Sequence, residues 1–343
     1  MPEENLAPRV SVVIPCRNEA RNIENCLRSV LAFEAPPGGF EVLVVDGMSN
    51  DGTRDILQRI VAQEPRVRVI DNPEKITPTA MNHGIRAARG EIVIRMDARC
   101  RYAPNYVSES VRVREEKQAA TVGGPCEAQG DTYIQKAIAI AYNAPLAVGG
   151  GKAHSLDYEG PADTVHFGCW SKALFEKIGY FDEELVRNQD DEFNLRIHRS
   201  GGLIWQSPHI RSSYAPRRTV GELWRQYFQY GYWKVRVIQK HKIPASIRHL
   251  VPGTFVVVML LLALLSLFLP LARIAFVGLG SLYLLFLLLS SAVAAARSGW
   301  NYLPILPVVI AAYQLSYGTG FLCGIWDFMI LKRRGRFVNL TRK

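Results

Sequence analysis

The sequence predicts an α/β domain built on a mostly parallel sheet, followed by an amphipathic helix and an all-α membrane region. Three observations predict this. Apolar runs of strand length alternate with helix-period segments over residues 9–97. After residue 249 the pattern changes to long apolar stretches. Between the two regimes lies a short, strongly basic segment. The expected divisions are residues 1–216, an interface helix over 217–249, a membrane region over 250–331 and a basic tail over 332–343.

The first element, "RVSVVIPCRNE", is a continuous apolar run that ends at Pro15, as in a strand covered on both faces. Ile23, Leu27, Val30 and Leu31 then recur at helical spacing, which predicts a helix over 22–32. "FEVLVVDGMSNDGT" repeats the scheme: a strand, Asp46 at its end, a polar turn, and a helix over 53–63. "RVRVID" reads as a third strand, 79–88 as a helix and 91–96 as a fourth strand, with Asp97 just beyond it. Such alternation implies right-handed βαβ units, whose ligands bind beyond the carboxyl ends of the strands. Pro15, Asp46 and Asp97 should therefore share one crevice. Residues 122–216 are less regular, with a glycine-rich loop, "VGGGKAH", the stretch "DTVHFGCW" and a helix over 172–178.

The formal charge of +10 is unevenly placed. Residues 1–216 carry 25 basic and 29 acidic side chains, residues 217–248 carry 8 and 1, and the last twelve carry 6 and none. Positive charge beside apolar segments points to anionic membrane lipid and away from nucleic acid. The apolar stretches 250–271, 274–296 and 303–331 each reach the roughly 20 residues a membrane crossing needs. "QLSYGTG" in the last could break it into a re-entrant pair and return the tail to the starting side. Trp224, Phe228, Gly231, Val235 and Ile238 form one helical stripe, suited to the headgroup layer. The polar, acidic start lacks a signal-peptide pattern, so residues 1–216 are expected on the cytoplasmic side of the plasma (inner) membrane of a multi-pass protein. Six cysteines without CxxC spacing read as buried thiols.

Among the acids, Asp51 and Thr53 read as helix-capping residues, and Asp46 as a ligand-binding one. "NQDDEFNLRI" sets Asp190, Asp191 and Glu192 at a helix start, with Arg196 one turn on. Adjacent acids there can supply a general base. "VGGGK" does not satisfy the GxxxxGK[ST] phosphate loop. His154 and His166 read as packing or surface residues.

"SVVIPCRNE", "VVDGMSNDGT", "NHGIRAARGEIVIRMDA", "GYFDEEL" and "QDDEFNLR" resemble, in order and spacing, the family 2 inverting glycosyltransferases of GT-A (Rossmann-like) fold. "DTVHFGCW" and "RQYFQYGYWKVRVIQKHK" ahead of apolar helices are similar to the succinoglycan glucosyltransferase (ExoA-like) branch. The resemblance implies a membrane-anchored hexosyltransferase. It would use a UDP-sugar, with UDP-glucose foremost, and a lipid-linked (polyprenyl) saccharide acceptor in exopolysaccharide or other surface polysaccharide synthesis. It assigns Pro15 and Glu19 to the uridine pocket, Asp46 to the nucleoside, Asp97 to the ribose–diphosphate region and a Mg²⁺ or Mn²⁺ ion, and Asp190 to the base. Asp191, Glu192, Arg196 and Gly168 take acceptor or supporting positions.

Three positions depart from the family pattern. Gly47 stands where a second Asp is common, Gln189 replaces a Glu, and Arg99 replaces the last Asp of the metal-binding DxD. A guanidinium cannot ligate a cation, but it can itself neutralise a diphosphate. Two answers stay open: a metal held by Asp97 with other groups, or Arg99 doing part of its work. The rival functions are a processive polysaccharide synthase and a catalytically weak membrane assembly subunit.

Overall fold

The computed structural model describes residues 7–144, 151–152, 155–244 and 246–337. His154, most of the glycine-rich loop and the end of the basic tail lie outside them. The chain forms two compact units, one from residues 1–127 and 152–214, the other from 128–151 and 215–343.

The first unit is built on an eight-stranded sheet of order β3-β2-β1-β4-β9-β6-β10-β8. Its strands are β1 (Val10–Cys16), β2 (Phe40–Asp46), β3 (Val67–Asp71), β4 (Ile92–Arg95), β6 (Thr121–Gly123), β8 (Gly160–Pro161), β9 (Cys169–Ser171) and β10 (Ile204–Gln206). β1 pairs in parallel with β2 on one side and β4 on the other, and β3 extends the parallel set. β9 runs antiparallel between β4 and β6. Strand order reverses between β1 and β4, which opens a crevice at their carboxyl ends. The uninterrupted apolar runs of β1 and β2 match strands buried on both faces, for every residue but Pro15 is buried.

The helices α1 (Ile23–Leu31), α2 (Thr53–Gln63) and α3 (Thr77–Ala87) fall where the periodicity places them. α3 begins two residues early because Pro78 sits in its first turn, where a missing N–H costs nothing. β5 (Cys100–Tyr102), β7 (Cys126–Ala128), β11 (Ser212–Tyr214) and α4 (Tyr106–Glu116) escaped the sequence reading. α6 (Lys172–Ile178) and α7 (Gln189–Arg199) complete the unit.

The second unit differs from expectation in three respects. First, α5 (Tyr133–Asn143) belongs to it, although it lies within residues 1–216. Its buried Ala137, Ile138 and Ala141 match an apolar partner, and the Ile138 carbonyl accepts the Tyr313 hydroxyl at 3.2 Å. Second, α8 (Val220–His241) is more enclosed than a helix lying on a membrane surface. It packs along α11 (Leu306–Gly324), with the Tyr227 and Tyr313 rings 4.5 Å apart. Gly231 and Gly320 leave no room for a Cβ against the Tyr317 and Phe228 carbonyls, so the two backbones meet. Of the predicted stripe, Trp224 stays exposed while Gly231 and Val235 are buried. Third, "QLSYGTG" lies inside continuous α11 and makes contacts instead of a break.

Among the described residues, three segments are long and apolar enough to cross a membrane: Ile247–Leu265, Pro270–Ser298 and Leu306–Ile330. They contain α9 (Val251–Leu265), α10 (Pro270–Ser298), and α11 with a π-helical turn, Ile325–Ile330. The first two expose most of their side chains, with 11% and 17% buried, whereas the third is 50% buried. Residues 331–337 fold back on α8. Arg336 donates twice to buried Asp327 at 2.7 Å, Tyr232 donates to the same carboxylate at 2.8 Å, and Gln229 donates to the Phe337 carbonyl at 2.9 Å.

Candidate active site

The loops after β1 and β2 are laced together. Asp46, fully buried at the end of β2, accepts from the Ser49 amide at 3.0 Å, from the Ser49 hydroxyl and from Arg54 at 3.0 Å. Arg54 also pairs with Asp71 at 2.9 Å. The Ser49 hydroxyl accepts the Asn18 amide at 2.8 Å, and the Thr53 hydroxyl accepts the Glu19 amide at 2.9 Å. Burial works to raise the Asp51 carboxyl, but the Thr53 hydroxyl and the Ala20 and Thr53 amides hold it below its ordinary value. Asp51 and Thr53 were expected to cap α2, but its N-cap is Gly52 without a side-chain cap bond, and the two residues tie the loops after β1 and β2 together instead. Gly47 packs directly against the Arg17 side chain.

Glu19 is buried, and its carboxylate is taken up by neighbours. Arg99 Nε donates to both its oxygens at 2.6 and 2.9 Å, and Asn22 donates at 2.8 Å. Arg99 itself is half exposed. Pro15 is half buried in β1, opposite Val45.

Beyond β4, Asp97 accepts Arg95 Nε at 3.0 Å and Nη2 at 3.2 Å, and its amide donates to the Tyr102 hydroxyl at 2.6 Å. Asp97 keeps about a third of its side chain open (37%), while Arg95 is buried. Burial works against the Arg95 charge, yet the Asp97 and Asp190 carboxylates hold it protonated, above its ordinary value. Asp190 is therefore within electrostatic reach of the Asp97–Arg95 pair.

Asp190 stands exposed in the first turn of α7, behind Asn188 in a left-handed conformation (φ 61°). Its Oδ1 accepts the Asp191 amide at 2.9 Å. His166 adjoins this group. Burial pulls its imidazole below 6.5 although Asp190 and Asp191 favour the charged form, and Arg95 adds to the pull. The carbonyl of Gly168 accepts the Arg95 amide at 3.1 Å, which ties the His166 loop to the end of β4. Gly168 is required there: φ is +95° and a Cβ would strike the Trp170 ring.

Glu192 and Arg196 form a two-bond ion pair, 2.8 and 2.9 Å, and Arg196 also donates to the Ile178, Gly179 and Tyr180 carbonyls. They brace the turn before "FDEEL" and supply no free base. Asn82 of α3 holds the same segment, exchanging hydrogen bonds with Phe181 at 2.9 and 3.0 Å. Asn82 and Arg95 were missed from sequence, and His166, expected to be a packing or surface residue, lies within electrostatic reach of Asp190 and Asp191. Arg95 carried a signal, being a lone cation in an apolar strand, two residues from Asp97.

No group of three or more His, Cys, Asp or Glu side chains able to hold a metal occurs among the described residues. Asp97 is the open carboxylate at the strand end. One carboxylate fits a Mg²⁺-type ion that takes its other ligands from a diphosphate and water.

A mostly parallel sheet with acids gathered at its switch point, followed by apolar helices, is the architecture of a GT-A glycosyltransferase. The profile described as "Glycosyl transferase family 2" matches residues 11–179. The succinoglycan biosynthesis protein ExoA of Rhizobium meliloti (strain 1021) is 32% identical over 70% of this chain and 73% of its own length. A dolichyl N-acetyl-alpha-D-glucosaminyl phosphate 3-beta-D-2,3-diacetamido-2,3-dideoxy-beta-D-glucuronosyltransferase of Methanococcus voltae is 28% identical over 67% and 74%. Among solved structures, the mannosyltransferase PcManGT from Pyrobaculum calidifontis, in complex with GDP-Man and Mn²⁺, shares the fold. Its TM-score is 0.61 at 19% identity, over 94% of this chain and 88% of that one. The chain belongs to glycosyl transferase family 2.

Proposed function

We propose that the protein is a multi-pass membrane enzyme that moves a hexose, with inversion, from a UDP-sugar to a lipid-linked saccharide. UDP-glucose is the first donor to test, and surface polysaccharide synthesis is the setting. The Arg95–Asp97 ion pair just past β4, with the Asp190 charge felt at the same guanidinium, carries this reading, because it would set a diphosphate-binding acid and a base near one another. The names of the relatives support it, one being a succinoglycan biosynthesis protein and another acting on a dolichyl phosphate sugar.

The acceptor hydroxyl attacks the anomeric carbon as the bond to the diphosphate oxygen breaks, and Asp190 takes the hydroxyl proton. Arg95 orients Asp97 through its two hydrogen bonds. Arg99, held through Nε by Glu19, turns the rest of its guanidinium to the leaving diphosphate. Asp97 would hold a Mg²⁺ or Mn²⁺ ion, which when bound neutralises diphosphate charge. Asp46, Pro15 and Glu19 line the nucleoside side, with Asp46 preset by Ser49 and Arg54.

The catalytic unit lies on the cytoplasmic side of the plasma (inner) membrane. α9 and α10 cross as a hairpin, α11 stays against α8, and the tail returns to the side of α8. The test is a donor screen on the full chain in lipid nanodiscs, with UDP-sugars and GDP-mannose, scored by mass spectrometry of lipid-linked products. One added sugar supports this reading, a ladder makes the protein a processive synthase, and no transfer from any donor leaves an assembly subunit.

A further inference from the structure

The helical unit contains a cavity of about 370 Å³ that none of the residues discussed above lines. That volume falls in the range of ligand pockets. α5 forms one wall and α10 and the start of α11 the others, with Ala139, Ile140, Val293, Ala294 and Ile310 as apolar lining. Among the described residues that line it, the cations are Lys136 and Arg297, both exposed. Neither has an ion-pair partner among the described residues. Deeper in, Ser290 is 6% exposed, and its buried hydroxyl has no hydrogen-bond partner. Such an orphan is costly in an apolar setting unless something polar reaches it.

The arrangement has a direction. Arg297 lies one residue from the end of α10, at the water end of a candidate span. Ser290 sits seven residues earlier on α10, about 10 Å deeper at 1.5 Å per residue. The cavity is thus cationic near the headgroup level and largely apolar below, with the Ser290 hydroxyl inside and Asn143, Ser298 and Tyr302 as further polar lining. At its side, Tyr133 stacks on Tyr302 at 5.2 Å and donates to the Asn301 carbonyl at 2.8 Å, which fastens α5 to the link between α10 and α11.

We infer that this cavity binds the phosphate end of a membrane lipid, with the phosphate between Lys136 and Arg297 and the first part of its chain along α10 and α11. Two sources share that chemistry, a polyprenyl phosphate such as carries a lipid-linked acceptor and a bulk phospholipid. The inference rests on the membrane reading proposed above and is independent of sugar transfer.

The experiment measures lipid retained by the full-length protein in detergent, by native mass spectrometry, with no sugar donor present. The probes are polyprenyl phosphate, phosphatidylglycerol and neutral diacylglycerol. Lys136→Gln/Arg297→Gln should reduce retention of the phosphate lipids roughly tenfold to a hundredfold, from about 1 kcal/mol per basic residue. Ser290→Leu, which fills the inner end and keeps both charges, should also reduce it, and UDP binding reports that each variant is folded. Preference for polyprenyl phosphate over phosphatidylglycerol assigns the cavity to the acceptor. Equal retention assigns it to bulk phospholipid, and both outcomes support a phosphate-lipid site. Diacylglycerol retained as well as either, or both folded variants within twofold of wild type, overturns the inference. Absence of sugar transfer in the donor screen would not touch this result.

Discussion

Arg99 Nε donates to both carboxylate oxygens of Glu19, at 2.6 and 2.9 Å, linking the segment after β4 to the segment after β1. Arg99 is therefore neither a free surface cation nor a simple replacement for a metal ligand. It is half exposed and held by an acid that is almost wholly buried.

Arg99→Ala should act twice. It leaves the buried Glu19 carboxylate with Asn22 as its remaining donor, at a cost of about 1–3 kcal/mol for the oxygen left unsatisfied. It also removes a cationic contact to the diphosphate, lowering transfer about tenfold to a hundredfold. Arg99→Asp recreates the common DxD but sets a second carboxylate beside Glu19, so it should be less stable and more dependent on Mn²⁺. Transfer rates in EDTA and across a Mn²⁺ titration, with denaturant unfolding, test this. An Arg99→Ala enzyme equal to wild type at every Mn²⁺ level would remove Arg99 from the chemistry.

Asp190→Asn should leave UDP-sugar binding nearly intact and slow transfer at least about a hundredfold. Asp191→Asn should change the rate only a few-fold. Calorimetry of donor binding beside single-turnover rates separates the two, and the reverse ranking would move the base to Asp191.

His166 gives a pH signature. Its folded-state pKa lies below the ordinary 6.5, so the unfolded chain binds the proton more readily. The stability this contributes is fully present above pH 6.5 and is lost as pH falls below it. His166→Asn should flatten that part of the stability profile. Thermal unfolding of both proteins from pH 5 to 8 provides the comparison, and parallel curves would contradict the assignment.

A cysteine at Arg334 should react with a membrane-impermeant maleimide from the same side as one at exposed Glu176 of the catalytic unit. Labelling of the two from opposite faces of oriented vesicles would mean that α11 crosses the bilayer fully.

The parallel half of the sheet was legible because strands buried on both faces read as unbroken apolar runs, and the helices between them keep their period. The antiparallel half was not, since β5 to β11 have two or three residues each, too few to show alternation. Asp46, Asp97 and Asp190 could be picked out as acids at element ends. What they touch was mostly hidden, because Arg54 and His166 come from positions with no periodic meaning, and only Arg95, a lone cation in β4, carried a signal. Membrane segments were visible from hydropathy alone, whereas the covering of α8 depends on Gly231 and Gly320, whose closeness no single-sequence pattern reveals.

The placement of α5 has a practical consequence for anyone who would detach the enzyme from the bilayer. Its two flanking segments leave and rejoin the catalytic unit, so a chain cut after Pro216 would keep α5 and lose what covers it. Ala137, Ile138 and Ala141 would then face water, and such a fragment should clump in solution. A soluble transferase needs two incisions: removal of everything beyond Tyr214, and replacement of residues 128–151 by a short polar bridge.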